Sequence, residues 1–164
     1  MKDSASSRKN RSIYRTAVFL SFILQTSVAL LIGCKSNRTG PPELVADKIA
    51  CKKCNMLLSE TRYAAAFEDA EGNAQIFDDI GCMLSTLQSI EKMPKQIWVR
   101  DFKTDTWTDA HTAYFVSSEK FSTPMNYGFV AVAHSTDADE LAKSNDGKIV
   151  TGFDTLIKVF QGIS

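Results

Sequence analysis

Apolar residues follow one another almost without a break from position 17 to position 32, whereas past position 62 they alternate with polar residues or recur every three to four places. The second kind of pattern defines elements. Residues 63–67 read as a strand, 68–73 as a turn containing Gly72, and 74–77 as the returning strand of a hairpin. Asp78 or Asp79 then stands where a helix cap belongs. Behind it Ile80, Met83, Leu84, Leu87 and Ile90 form one apolar face, and Pro94 lies beyond the end. The first unit is thus β-β-α. Residues 97–102 alternate, 103–105 turn and 106–108 return, which puts Trp98 and Trp107 on facing strands. Residues 109–116 fit a helical turn and an extended piece equally well. A loop over 117–124 delivers Met125, and 128–133 is a strand. Residues 137–145 read as a short helix ended by Asp146-Gly147, 148–151 as a strand, and Asp154 as the cap before Leu156, Ile157 and Phe160.

One stretch echoes another. From Gly72 the chain ends in Phe77-Asp78-Asp79-Ile80, and from Gly147 in Phe153-Asp154-Thr155-Leu156: a turn glycine, a strand, an aromatic and a capping Asp. Strand-to-helix connections select such residues on physical grounds, so the echo is short of proof of duplication. It favours one compact α+β domain over residues 47–164, made of two similar halves at about 47–94 and 95–164.

The apolar run is preceded by Arg8, Lys9, Arg11 and Arg15, the layout of an export signal over residues 1–33. At about 16 residues the run is short for a span of a roughly 30 Å hydrocarbon core. It ends in Leu31-Ile32-Gly33-Cys34, which resembles the lipobox of bacterial lipoproteins. That resemblance implies cleavage before Cys34, lipid modification of Cys34, and a polar tether over 34–46. Several acyl chains on one residue hold a domain at a membrane far better than a single chain does. The expected location is the cell envelope, facing the periplasm, and at the outer membrane given Lys35 if the cell is Gram-negative.

With 44% hydrophobic and 23% charged residues the chain is that of a folded domain. Its formal neutrality is produced by the signal. Residues 1–33 carry five of the 19 basic residues and one of the 19 acidic ones, leaving 14 against 18, a net charge of −4. An acidic domain without a basic stripe gives no reason to expect a nucleic-acid partner.

Export also places cysteines where thiols tend to pair. Beyond Cys34 there are three, Cys51, Cys54 and Cys82, an odd number in a chain long enough to fold without staples. The run Cys51-Lys52-Lys53-Cys54-Asn55-Met56 brings two thiols and a thioether into six residues. Thiolate and thioether donors favour Cu(I), whereas zinc seldom takes methionine, so Met56 tilts the set towards copper. In an extended segment Cys54 and Met56 share a face, with Cys51 as a third ligand. The haem version of Cys-x-x-Cys is excluded, because Asn55 stands where His is required. A Cys51–Cys54 disulfide is the competing assignment.

Met125, in the turn-rich stretch 124–128, has no helical face to fill and is a second candidate ligand, whereas Met83 lies on its helix's apolar stripe. Cys82 is by default a half-buried free thiol, about 100° round the helix from Met83. His111 and His134 read as surface or capping residues, and the acid pairs Asp78-Asp79 and Asp137 with Asp139 as helix caps. No Gly-x-Ser-x-Gly, His-Glu-x-x-His or phosphate-cradling glycine loop is present, so no catalytic set is expected.

In order, Cys34, Cys-x-x-Cys-x-Met at 51–56, Phe77-Asp78-Asp79-Ile80-Gly81-Cys82-Met83, Trp98-Val99-Arg100-Asp101, Trp107-Thr108-Asp109-Ala110, Ala113-Tyr114-Phe115-Val116 and Pro124-Met125 resemble the NosL family of copper-binding lipoproteins accessory to nitrous oxide reductase. The resemblance covers nearly all of the chain beyond the signal. It implies a fold of two small ββαβ units and Cu(I) ligation by Cys54, Met56 and Met125, with Cys51 as a further ligand. It also implies delivery of copper to the nitrous-oxide-reductase maturation machinery, an ABC-transporter complex with a periplasmic partner. Two positions depart from the family: Asn55 and Asn126 stand where glycine is usual, and Asn tolerates left-handed backbone better than most residues.

Three functions follow. The first is a copper chaperone without turnover. The second is a thiol-disulfide oxidoreductase using Cys51 and Cys54, which needs a low-pKa thiol, usually at a helix N-terminus. The third is a non-catalytic lipoprotein interaction module whose Cys-x-x-Cys is a structural disulfide.

Overall fold

The computed structural model describes residues 40–163. The expected export signal over 1–33, the expected lipidation site Cys34 and the expected tether up to Thr39 lie outside the described residues. Among the described residues no helix is long and apolar enough to cross a membrane.

A 3-10 turn at Thr61–Tyr63 leads into β1 (Ala65–Glu68), which forms a hairpin with β2 (Ala74–Phe77). Asp69 closes the hairpin by accepting from the N–H groups of Glu71 and Asn73. Helix α1 (Ile80–Leu87) follows at once, with Asp79 as its cap: the carboxylate accepts from Cys82 N–H at 2.8 Å. Then come β3 (Ile97–Arg100), β4 (Trp107–Asp109), β5 (Tyr114–Ser117), β6 (Phe129–Val132), α2 (Ser135–Ser144), β7 (Lys148–Thr151) and α3 (Phe153–Gln161). The stretch at 109–116, open between helix and strand in sequence, is a turn on Asp109 followed by β5.

The strands make two antiparallel sheets, a four-stranded one in the order β2-β1-β3-β4 and a three-stranded one in the order β6-β5-β7. Each contains one ββαβ unit, β1-β2-α1-β3 and β5-β6-α2-β7, with the unit's first strand in the middle. The expected α+β fold of two ββαβ units is therefore the one found. The boundary between halves is not at 94/95: β3 pairs with β1 and β4 with β3, so the first sheet continues to Asp109. Equivalent junctions in the two units are β2–α1 and β6–α2, whereas the sequence echo matched β2–α1 to β7–α3. The echo reflects shared junction chemistry and misses the true correspondence.

One apolar cluster joins both sheets. Ala65, Phe67, Phe77 and Val99 point into it from the first, Met83 and Leu84 from α1, Phe115, Phe129 and Val150 from the second, and Leu156 and Phe160 from α3. Alternation along β5 sends Phe115 to this core and Val116 to a smaller cluster beneath α2, with Val130, Val132 and Leu141. Burial of Met83 agrees with its place on the stripe.

Trp98 and Trp107 lie on the paired strands β3 and β4, as expected, with Trp107 directly opposite Arg100. Several other local expectations are corrected. The Arg100 guanidinium lies 5.2 Å from the Trp107 indole centroid, and the indole N–H donates to Pro42 O at 2.7 Å. Pro42 and Leu44, assigned to the tether, are thus held on the domain. Helix α3 starts at Phe153 with Gly152, φ 86°, at its cap position, so Asp154 lies in the first turn instead of capping it. Helix α2 begins at Ser135, which puts Asp137 in its first turn, where it bonds Lys103.

Candidate metal centre

Residues 50–57 form a narrow turn rather than the extended segment the spacing had implied. Ala50 and Leu57 bridge, Cys51 N–H donates to Met56 O at 2.8 Å, and Asn55 N–H donates to Cys51 O at 2.9 Å. Asn55 closes it in the left-handed region, φ 62°, as its tolerance of that conformation allows. Lys52 N–H donates to Ile76 O at 2.8 Å, which straps the turn to the end of β2. The next residues of β2 lead into Asp78 and α1, so the strap brings two distant sequence motifs face to face.

The ligand atoms of Cys51, Cys54, Asp78 and Cys82 all lie within 4.8 Å of one another. Cys51 is 1% exposed, and Asp78 and Cys82 are 2% exposed; Cys54 is half-buried and forms the open side. Asp78 Oδ2 accepts from the Cys54 thiol at 3.2 Å, and Asp78 Oδ1 accepts from Asp79 N–H at 3.0 Å. All three cysteines are free thiols.

The thiols are electrostatically unequal. A hydrogen bond from Cys82, outweighing burial, lowers the Cys51 pKa to about 6. Burial raises that of Cys54 to about 11, and Asp78 beside it acts in the same direction. Cys82, the donor to Cys51 and itself buried, is pushed up. Of the three thiols, Cys51 in the pocket's interior is therefore the one that ionises most readily.

Asp79 organises the neighbouring wall. Besides capping α1 it accepts from Met125 N–H at 3.0 Å and from the Thr123 hydroxyl at 3.2 Å, tying the loop of Met125 to the helix of Cys82. Its own pKa is raised, because burial outweighs these bonds. Asn126 (φ 59°) and Gly128 (φ 70°) turn the loop, and a Cβ at Gly128 would lie 2.4 Å from Ser118 O. The Tyr127 ring sits directly over Gly81, one residue before Cys82, where any Cβ would collide with it.

Of the candidate ligands, then, Cys51 and Cys54 come together. Met56, two residues on, is 53% exposed, and Met125, on the loop bonded to Asp79, is 37% exposed. Neither thioether is core. Cys34 lies outside the described residues. Two members of the cluster were given other roles by sequence: Cys82, taken as a half-buried free thiol, is fully buried among the donors, and Asp78, taken as a possible cap, is free for them because Asp79 does the capping. Both had a signal in the sequence, namely an odd cysteine and one more Asp than a cap needs.

Fold and site together define a class: a duplicated ββαβ domain with a sulfur-rich cluster at its first strand-to-helix junction. The chain belongs to the NosL family, whose pattern matches residues 42–158. Among solved structures it is similar to the copper chaperone NosL from Shewanella denitrificans, with a TM-score of 0.62 and 17% identity over 71% of this chain and 95% of that one. At that identity the likeness establishes the fold. Comparison with curated protein sequences gave no match.

Proposed function

We propose that this protein is a copper chaperone that binds Cu(I) through Cys54, Met56 and Met125, with Cys51 as a further ligand, and passes it on by ligand exchange. The observation that carries this reading is the convergence of the Cys51 and Cys54 sulfurs while the thioether of Met56 stays exposed beside them in sequence. Soft donors suit a monovalent soft ion, and thioethers at the surface offer an incoming ligand access to it. Family membership supports the reading, and the similar Shewanella protein is itself a copper chaperone. Copper here is cargo, and no turnover is required.

Anaerobic titration of the reduced protein with Cu(I) against a competing chelator tests it. Stoichiometric binding is expected, weakened at least about tenfold in Cys54→Ser and in Met56→Leu. Unchanged affinity in both variants would sink the proposal.

The finer reading rests on the sequence and the family. Cys34 carries lipid that holds the domain at a membrane facing the periplasm, and the recipient of the copper is the nitrous-oxide-reductase maturation machinery, an ABC-transporter complex with a periplasmic partner. Cys34→Ala is expected to shift the protein from the membrane fraction to the soluble fraction and to lower the copper content of nitrous oxide reductase in the same cells. A reductase with full copper in cells lacking the gene altogether would exclude this recipient.

The oxidoreductase reading is disfavoured by the thiols themselves. Exchange needs an accessible thiolate, yet the accessible Cys54 is the one held at about 11, and the acidic Cys51 is buried.

A further inference from the structure

We infer that the cleft beyond the C-terminal end of α1, away from the cysteine cluster at its start, binds a phosphoethanolamine group, a zwitterion that joins a primary ammonium to a phosphate ester. The cleft has a volume of about 520 Å³ and lies between the β1–β2 turn and the connection from α1 to β3. That is the size of a small-molecule site. Glu68 and Glu71 line it from the turn, Lys92 and Lys95 from the connection, and Phe67, Ile90, Met93 and Pro94 supply its apolar surface. Its two sides are fixed to each other where Glu68 N–H donates to Gln96 O at 3.0 Å. Asp69 is already committed, since its carboxylate holds the turn and accepts from the Gln75 side chain at 2.6 Å.

The charges select the ligand. Among the described residues Glu68, Glu71, Lys92 and Lys95 take part in no ion pair although opposite signs share one cleft, whereas Lys103 bonds Asp137 and Glu140, and Lys120 bonds Asp146. A simple anion would satisfy the lysines and be repelled by the glutamates, and a simple cation the reverse; a zwitterion satisfies both. The basic side favours phosphate over carboxylate. Besides two ammonium groups it carries the backbone N–H groups of Ile90, Lys92, Met93 and Lys95, none of which has a backbone acceptor among the described residues, and phosphate brings three strong acceptor oxygens. At the acidic side a primary ammonium donates to carboxylates. A quaternary one calls for a cage of aromatic faces, and the one aromatic ring lining the cleft, Phe67, is buried. Met93, 45% exposed, leaves apolar surface for the body to which the phosphate is esterified. The class of ligand follows without reference to copper; a membrane phospholipid as its source rests on lipidation of Cys34.

The test is calorimetric titration of the full-length protein in detergent with three probes: dihexanoyl phosphatidylethanolamine, its phosphatidylcholine counterpart and free phosphoethanolamine. The expected result is saturable binding of the ethanolamine lipid, weaker by at least about tenfold for the choline lipid and in each of two double variants, Lys92→Gln with Lys95→Gln and Glu68→Gln with Glu71→Gln. Thermal unfolding and Cu(I) affinity should be unchanged in both variants, since neither touches the cysteine cluster. Free phosphoethanolamine bound as tightly as the lipid would support the inference with a soluble ligand, and binding of the lipid alone would support it with a membrane one. No saturable binding of either ethanolamine probe, equal affinity for the choline lipid, or affinity untouched by both double variants overturns it. Copper binding is read in a separate titration, so failure here leaves the chaperone reading standing, and loss of Met56-dependent copper binding leaves this one.

Discussion

Cys51 is a thiol made acidic by a neighbour that cannot itself ionise easily. Its folded value of about 6 lies below the ordinary 9.0, because Cys82 donates to it. A depressed acid contributes stability that is fully present above 9.0 and is lost as pH falls through about 6. The raised Cys54 works in the opposite direction, resisting ionisation until about pH 11. Thiolate absorbance of the reduced, metal-free protein should therefore rise in separate steps, the first near pH 6 and a later one near 11. Cys82→Ala removes the donor and should move the first step upward. A single step at the ordinary cysteine value would refute the arrangement. Metal loading should abolish the steps of the coordinated thiols, since a metal holds them deprotonated across this range.

The element that matters most to the centre is α1, because one carboxylate both starts it and holds the loop beside it. Asp79 satisfies Cys82 N–H at the helix start, and Met125 N–H and the Thr123 hydroxyl on the loop. Removing a cap costs about 1 kcal/mol, and leaving buried donors without an acceptor costs a further ~1–3 kcal/mol. Asp79→Ala should accordingly lower unfolding stability by roughly 2–4 kcal/mol in urea denaturation. Copper affinity should fall as well, since the backbone of Met125 loses its anchor. A loss no larger than that of an ordinary surface substitution would show that the loop is held by something else. Gly81 belongs to the same device: its bare backbone lets Tyr127 close over α1, so the helix face next to Cys82 is glycine because the loop packs there.

At the scale of the whole domain, the two sheets are joined by their common core and by Asp101. The Asp101 carboxylate accepts from Lys103 and Thr104 N–H in its own turn at 2.9 Å and from Ala133 N–H beyond β6 at 2.7 Å. Phe102 N–H donates to Ala131 O at 2.8 Å, extending the link. Burial alone would raise the pKa of Asp101, but the backbone donors outweigh it and hold it below the ordinary 3.8. Its stabilisation is thus present above pH 3.8 and lost as pH falls through the lower folded-state value. Asp101→Asn, which turns an acceptor facing Ala133 into a donor, should cost about 2–3 kcal/mol at neutral pH. The wild-type advantage over the variant should shrink in acid; an advantage that persists undiminished well below pH 3.8 would show that ionisation of Asp101 plays no part.

Much of this was written in the chain itself. Alternation and three-four spacing are local properties, so the hairpin, α1, the last strand and the last helix could be read from neighbours alone, and so could the sulfur-rich run at 51–56. Asn55 and Asn126 likewise announced left-handed turns, since few other residues with a side chain accept that backbone. What only the tertiary structure decided was pairing across distance. The strap from Lys52 to Ile76, the placing of β3 against β1, and the meeting of Cys82 and Asp78 with Cys51 and Cys54 depend on contacts between residues some 24 or more apart. A Cys on a helix and the first of two adjacent acids look ordinary until another segment folds onto them, because a ligand set is a property of a point in space and no short stretch of sequence contains that point.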